Sequence, residues 1–93
     1  MKEFKGTPGP WFYQVGDYDH HTIRNENSIV ADVYAGYPFG DIRSNSSLIA
    51  AAPKMLEALT STLDEIGFWL SQQKPELRDK LVSTVAEALG ESQ

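Results

Sequence analysis

The sequence changes its periodicity near residue 43, and this change limits the possible folds more than any other feature. Before it, short apolar runs alternate with polar residues and are separated by turn-forming residues. After it, apolar residues recur every three or four positions, the spacing of amphipathic helices. Because strand patterns come first and helical patterns second, we expect an α+β fold with segregated strands and helices.

The first half predicts three short strands, at residues 11–15, 22–24 and 28–35. Gly16-Asp17 and Asn25 to Asn27 supply the turns between them. Connections this short predict a three-stranded antiparallel meander. The third strand alternates, and its more apolar set is predicted to face the core: Ile29, Ala31, Val33 and Ala35.

The second half predicts a short helix, a long amphipathic helix and a C-terminal helix. The serines of residues 44–47 offer N-cap oxygens to the short helix. The long helix is predicted from Lys54 to about Gln73, and the third follows Pro75 and ends near Gly90. An apolar stripe runs along the long helix at spacings of 3, 4, 3 and 4, through Leu56, Leu59, Leu63, Ile66 and Leu70. This spacing agrees with a seam between paired helices, and it agrees equally with packing of the helix on the sheet.

The length of 93 residues suits one domain, with an aromatic β-rich part at 1–43 and a helical part at 44–93. A core this small, with the stripe on the long helix, leads us to expect a homo-oligomer. Cysteine is absent, which excludes disulfides and thiolate sites, and the expected location is the cytoplasm. No apolar run predicts a membrane span. The net charge of -5 argues against general nucleic-acid binding.

Catalytic and metal-binding motifs are weak in this sequence. His20 and His21 are adjacent, and neighbours on a strand point to opposite faces, so we interpret them as a polar turn and strand rather than a metal site. No Gly-x-Ser-x-Gly elbow, phosphate-binding loop or dinucleotide fingerprint occurs. We therefore expect a protein that binds without catalysis and needs no metal or cofactor.

Five residues near the end of the third strand form the candidate ligand site: Arg24, Tyr34, Tyr37, Phe39 and Arg43. Such a set can stack a planar ring and hold a phosphate. Arg43 is the expected phosphate anchor, because it adjoins the predicted helix start with its free N–H groups. The other interpretation is that the aromatic side chains fill the core and the arginines are ordinary surface residues.

Two segments carry a resemblance to a known family, Thr7-Pro8-Gly9-Pro10-Trp11 and the run from Leu48 to Leu59, LIAAAPKMLEAL, with Asn45 three residues before it. Over residues 7–59 the chain resembles small phage and prophage proteins of unassigned function; Met55 stands where they usually have leucine.

Phage origin in turn implies an accessory protein in the host bacterial cytoplasm. Small phage proteins of similar size sequester signalling nucleotides of host defence, of the cyclic oligonucleotide or cyclic ADP-ribose type. The resemblance therefore implies a nucleotide-sequestering protein, and the alternative is a protein–protein inhibitor of a host factor.

Overall fold

Three short strands pair in chain order: β1 (Phe12–Val15), β2 (His20–Arg24) and β3 (Ile29–Tyr34). Both pairings are antiparallel, so the predicted meander is confirmed. The β2–β3 turn is closed by Asn25, whose side-chain oxygen accepts hydrogen bonds from the backbone N–H groups of Asn27 and Ser28. This is the local bonding for which asparagine is favoured in turns.

The β2–β3 ladder contains an irregularity that changes which side chains of β3 face inward. Ile23 pairs with Ala31, but the next residue, Arg24, pairs with Ile29. Val30 is therefore the extra residue of a bulge. Because the bulge shifts the alternation, Ile29 shares the side of Arg24 and is exposed, contrary to the predicted inward set. Val33 is buried as predicted, whereas Ala31, which pairs with Ile23, is exposed, and Ala35 lies outside the described residues.

Helix α1 (Ile42–Ala50) follows the sheet and contacts all three strands. It begins two residues earlier than the serine run predicts. Asp41 is the N-cap, and its carboxylate accepts hydrogen bonds from the backbone N–H of Ser44 at 2.9 Å and from its hydroxyl at 2.8 Å. The prediction of a serine cap was wrong: the helix begins before the serine run, and the carboxylate of Asp41, three residues upstream of Ser44, caps its first turn.

The proline-rich segment before β1 is held by hydrogen bonds and by close packing. The indole N–H of Trp11 donates to the carbonyl of Thr7, and the amide of Asn25 donates to the carbonyl of Pro8. A Cβ placed on Gly9 would lie 2.8 Å from the Cβ of Pro53. The two segments that carry the family resemblance are therefore in contact with each other.

Two further helices complete the order of elements, α2 (Ala52–Gln73) and α3 (Pro75–Ala88), so the predicted α+β class is confirmed. Leu70 of α2 and Val85 of α3 are buried. Helix α3 ends near Gly90, as expected: this glycine follows the C-cap Leu89, has a φ of 77° and donates to the carbonyl of Glu87, while Glu91 donates to that of Ala86. These bonds form a Schellman motif.

The computed structural model describes residues 3–17, 20–34 and 40–91. Contacts divide the chain into two compact units, Gly6–Lys54 and residues 55–91 with 3–5. Helix α1 thus belongs with the strands, and the boundary falls inside α2. The single domain expected from the length stays a prediction. Among the described residues, none of the helices combines the length and apolar character that crossing a membrane requires.

Candidate functional site

The inner face of the sheet carries a buried histidine–serine pair under α1. His21 is buried beside Ile23 and Val33, and its Nδ1 lies 2.9 Å from the Oγ of Ser46. The ring of Tyr13 stacks on His21, with centroids 5.2 Å apart and an interplanar angle of 6°. A serine beside an imidazole is also the arrangement of a nucleophile and its base. Ser46 is 0% exposed, so its hydroxyl cannot meet a substrate here and the pair joins helix to sheet.

This pair was not predicted from the sequence, because His21 and Ser46 are 25 positions apart and the serine lies in a run interpreted as a helix cap. A weak signal was present. Ser46 lies four residues before Ala50 and three before Ile49, so it shares their helix face.

The outer face of the sheet holds most of the polar side chains of the three strands, with two aromatic residues and Ile29. Strand alternation and the pairing register place them together. They are Phe12, Gln14, His20, Thr22, Arg24, Ile29, Asp32 and Tyr34. Phe12, Ile29 and Tyr34 are exposed. Since α1 packs on the inner face, this outer surface is the candidate binding site of the strand unit, the compact unit Gly6–Lys54.

One end of the outer face is formed by an aromatic pair. His20 and Tyr34 are opposite each other in the ladder, and their rings stack with centroids 5.6 Å apart and planes inclined by 25°. Tyr34 is 65% exposed. A ring that is already oriented by a neighbour and open to solvent can stack a further planar group at small entropic cost.

The other end is formed by Arg24. Its Nε donates to the carbonyl of Asn25 at 3.2 Å, and its Nη1 donates to the side-chain oxygen of Gln14 at 3.5 Å. These bonds orient the guanidinium group, while Nη2 makes no hydrogen bond to the described residues. An oriented guanidinium with donors to spare is suited to a phosphate or carboxylate.

A carboxylate lies between these two ends. Asp32 pairs with Thr22 in the ladder and accepts a 3.3 Å hydrogen bond from its hydroxyl. Asp32 repels anions and accepts hydrogen bonds from donors such as amino groups. The outer face therefore offers, in order along the strands, an aromatic stack, an acceptor and a cation.

The structure brings together two of the five predicted site residues and separates a third. Arg24 and Tyr34 share the outer face, at opposite ends. Arg43 is exposed on α1, the helix that packs on the inner face. Tyr37 and Phe39 lie outside the described residues.

The expected anion site at the start of α1 is altered by its cap. The Ser44 hydroxyl and backbone N–H bonds to Asp41, together with the charge of Arg43, lower the pKa of that carboxyl group. The negatively charged carboxylate of Asp41 thus already accepts a hydrogen bond at the helix start, where the sequence suggested N–H groups free for a ligand. We therefore expect the helix start to add little anion affinity to Arg43.

The histidine pair behaves as strand alternation predicts. His20 stacks with Tyr34 on the outer face, whereas His21 contacts Tyr13 and Ser46 on the inner face. The two imidazoles therefore do not converge on one ion. In the described ranges, no three histidine, aspartate or glutamate side chains are grouped so that they could hold a metal ion.

Fold and site define a small α+β protein with a three-stranded meander, one face covered by a helix and the other lined by aromatic and polar side chains. Over residues 1–92 the sequence matches the family described as Salmonella phage P22 protein Y8K6, and the chain belongs to this family. The phage relationship expected from residues 7–59 is thereby confirmed. No curated protein and no solved structure matches the chain.

Proposed function

We propose that this phage protein binds a signalling nucleotide of host defence on the outer face of its sheet and sequesters it unchanged. The observation that carries the proposal is the exposed Tyr34, stacked on His20, on the same face as the oriented guanidinium of Arg24. A nucleobase stacks on the tyrosine and a phosphate binds the arginine.

The dimensions of the outer face support a ligand larger than a free base. His20, which pairs with Tyr34, precedes Arg24 by four positions on β2. At about 3.3 Å per residue this is roughly 13 Å. A base linked through ribose to phosphate can bridge that distance, whereas inorganic phosphate would meet only the arginine.

Asp32 gives the proposed site a preference among nucleotides. Its carboxylate lies between the aromatic pair and Arg24, where it accepts a hydrogen bond from Thr22. It would accept another from the amino group of adenine or guanine and disfavour a phosphate at that position. We therefore propose a nucleotide with an amino-bearing base and few phosphates, such as a cyclic oligonucleotide or a cyclic ADP-ribose isomer.

The test is a panel of cyclic di- and trinucleotides and cyclic ADP-ribose isomers, read by melting temperature. A ligand that binds only the folded state raises this temperature. At a ligand concentration of 100 times Kd, it adds about 2.7 kcal/mol to the free energy of unfolding. Denaturing the complex should release intact ligand. No shift across the panel would contradict nucleotide binding, and recovery of a cleaved ligand would contradict sequestration.

Matched variants test the location of the site. Tyr34→Ala and Arg24→Ala should each weaken binding of the nucleotide that the panel identifies about ten- to a hundredfold. Arg43→Ala is the control, because it removes an equal charge from the helix on the other face. If Arg43→Ala weakens binding and Arg24→Ala does not, the ligand binds at α1 as the sequence alone suggested.

The alternative function, inhibition of a host protein, is favoured by a different observation. Helix α2 exposes the adjacent large aromatic side chains of Phe68 and Trp69. Exposed aromatic residues are enriched at protein–protein interfaces. A host-protein inhibitor would show no melting-temperature shift with any nucleotide of the panel, and its activity would depend on these two residues.

A further inference from the structure

Helix α2 keeps all its charged side chains on one narrow arc. Successive residues of an α-helix are rotated by about 100°. On this basis Lys54, Glu57, Asp64 and Glu65 lie within an arc of roughly 100°, and Phe68 lies among them. The rest of the circumference carries no charge, although a helix with one buried face needs only part of it to be apolar.

The charge-free part of α2 is covered only on one side. Leu56 and Leu63 are half-buried and Leu70 is buried, and all three project in nearly the same direction. Beside them lies a second strip, apolar except for Thr62, which we name the α2 shoulder: Met55, Ala58, Thr62, Ile66 and Trp69. Its large members are exposed, Met55 by 41%, Ile66 by 44% and Trp69 by 54%.

The spacing along the α2 shoulder is symmetric about Thr62. Met55 lies seven residues before it and Trp69 seven after, while Ala58 and Ile66 lie four residues away on either side. An antiparallel copy of the helix crossing at Thr62 therefore places Met55 against Trp69 and Ala58 against Ile66. Methionine sulfur against an aromatic ring is a favourable contact, and alanine opposite isoleucine allows close approach.

We propose that the α2 shoulder is the seam of an antiparallel homodimer with its two-fold axis at Thr62. In such a contact the same surface patch serves both subunits. The charged arc of each helix stays at the outside, so two copies of a chain with a net charge of -5 can approach without burying like charges. The spacing is that of any helix face, so a second copy is favoured as the occupant by the pairs that the two-fold axis creates, Met55 with Trp69 and Ala58 with Ile66.

The large side chains of the α2 shoulder supply part of the area that a stable interface needs. Large aromatic side chains bury roughly 150 to 250 Å² each, and aliphatic ones somewhat less, so the exposed parts of Met55, Ile66 and Trp69 supply about 300 Å² per subunit. Flanking helix surface must supply the rest of the approximately 800 Å² per partner of a standard interface. The unit itself needs this burial, since among its described residues only Leu70 and Val85 are buried apolar side chains.

The first test is the mass of the full chain in solution by light scattering. The subunit is 10.3 kDa, so the dimer has twice that mass. Trp69→Asp should give a folded monomer, as judged by circular dichroism. Phe68→Asp is the matched control: its side chain is 80% exposed on the charged arc, and the variant should remain a dimer.

The second test is cross-linking, for which the absence of cysteine gives a clean background. A disulfide needs Cα atoms within about 7 Å. Thr62→Cys should cross-link to itself at the axis. Ala58→Cys should not cross-link to itself. Residue 58 lies four residues from the axis on each helix, so its two copies are eight residues, or roughly 12 Å, apart along the helices. A mixture of Ala58→Cys and Ile66→Cys should form the mixed disulfide.

Three outcomes would overturn the proposal. A wild-type chain that stays monomeric at high concentration excludes the homodimer. If that chain binds a host protein and Trp69→Asp abolishes the binding, the α2 shoulder is an interface with a foreign protein. Efficient self-cross-linking of Ala58→Cys would show a parallel dimer. A dimer broken by Phe68→Asp but not by Trp69→Asp would place the seam on the charged arc. The result does not depend on what the sheet binds.

Discussion

His21 of β2 and Ser46 of α1 are joined by a 2.9 Å hydrogen bond between Nδ1 and Oγ, and both side chains are buried. The bond spans 25 positions of sequence and gives the Nδ1 of His21 and the Oγ of Ser46 a hydrogen-bond partner. Tyr13 covers the imidazole as a stacked ring. A buried polar pair thus lies in the contact between the sheet and α1.

Removing one partner of this pair should destabilise the strand unit. Ser46→Ala leaves the imidazole of His21 without its hydrogen bond in a buried position, which costs about 1 to 3 kcal/mol. Ser47→Ala is the matched control, because Ser47 is the neighbouring residue of α1 and is exposed. Urea denaturation of both variants measures the difference. Equal stabilities would show that water or a rotated ring replaces the serine.

The contact between Gly9 and Pro53 predicts that the proline-rich segment tolerates no side chain at its glycine. A Cβ there would lie 2.8 Å from the Cβ of Pro53 and 3.3 Å from its Cγ. The proline ring cannot rotate away, so Gly9→Ala should cost about 1 to 3 kcal/mol through displacement of the backbone. A melting curve unchanged from wild type would mean that the segment separates from Pro53 freely.

Gly67 should respond to the same substitution in the opposite direction. It lies inside α2, and a Cβ on it would meet no atom within 4 Å. Alanine is favoured over glycine in a helix by roughly 0.8 to 1 kcal/mol. Gly67→Ala should therefore raise the free energy of unfolding by about that amount in urea titrations. A loss of stability would indicate a close contact at this position in the assembled protein.

The cap of α1 should make stability depend on acid pH. Hydrogen bonds from Ser44, its hydroxyl first, lower the pKa of Asp41 below the value of about 3.9 typical of an unfolded chain. A lowered pKa in the folded state means that the stabilisation is present above the unfolded value and is lost as the pH falls through the folded one. The cap contribution should thus disappear only at strongly acid pH.

The control for this pH dependence is Asp41→Asn, which keeps a capping oxygen but does not titrate. The stability difference between wild type and Asp41→Asn, measured by denaturation at several pH values, should be constant near neutrality and shrink below about pH 4. A difference that is the same at pH 7 and pH 2 would show that the charge of Asp41 contributes nothing to the cap.

Local chemistry is sufficient to predict most of the elements. The strands, the long helix and the end of α3 at Gly90 follow from alternation, from spacings of three and four, and from the left-handed conformation that glycine adopts. The opposite orientations of His20 and His21 also follow, because alternation is a property of any strand. Each of these features depends on residues within a few positions of one another.

The candidate site was only partly predictable. Arg24 and Tyr34 were chosen for their chemistry, and the ladder places them on one face. Arg43 was chosen because it adjoins the predicted helix start, yet its helix packs on the other face of the sheet. Proximity along the chain does not determine which face a helix covers, since that depends on which apolar sides meet.

The sequence by itself determined the class of fold, the order of the elements and the relationship to phage proteins. Only the tertiary structure decided that the β2–β3 bulge turns Ile29 outward, that Asp41 caps α1, that His21 bonds Ser46 and that Gly9 meets Pro53. The physical reason is the separation along the chain over which each interaction acts. Propensity and periodicity act between neighbours, whereas ladder register, capping competition and burial of polar pairs depend on which distant segments pack together.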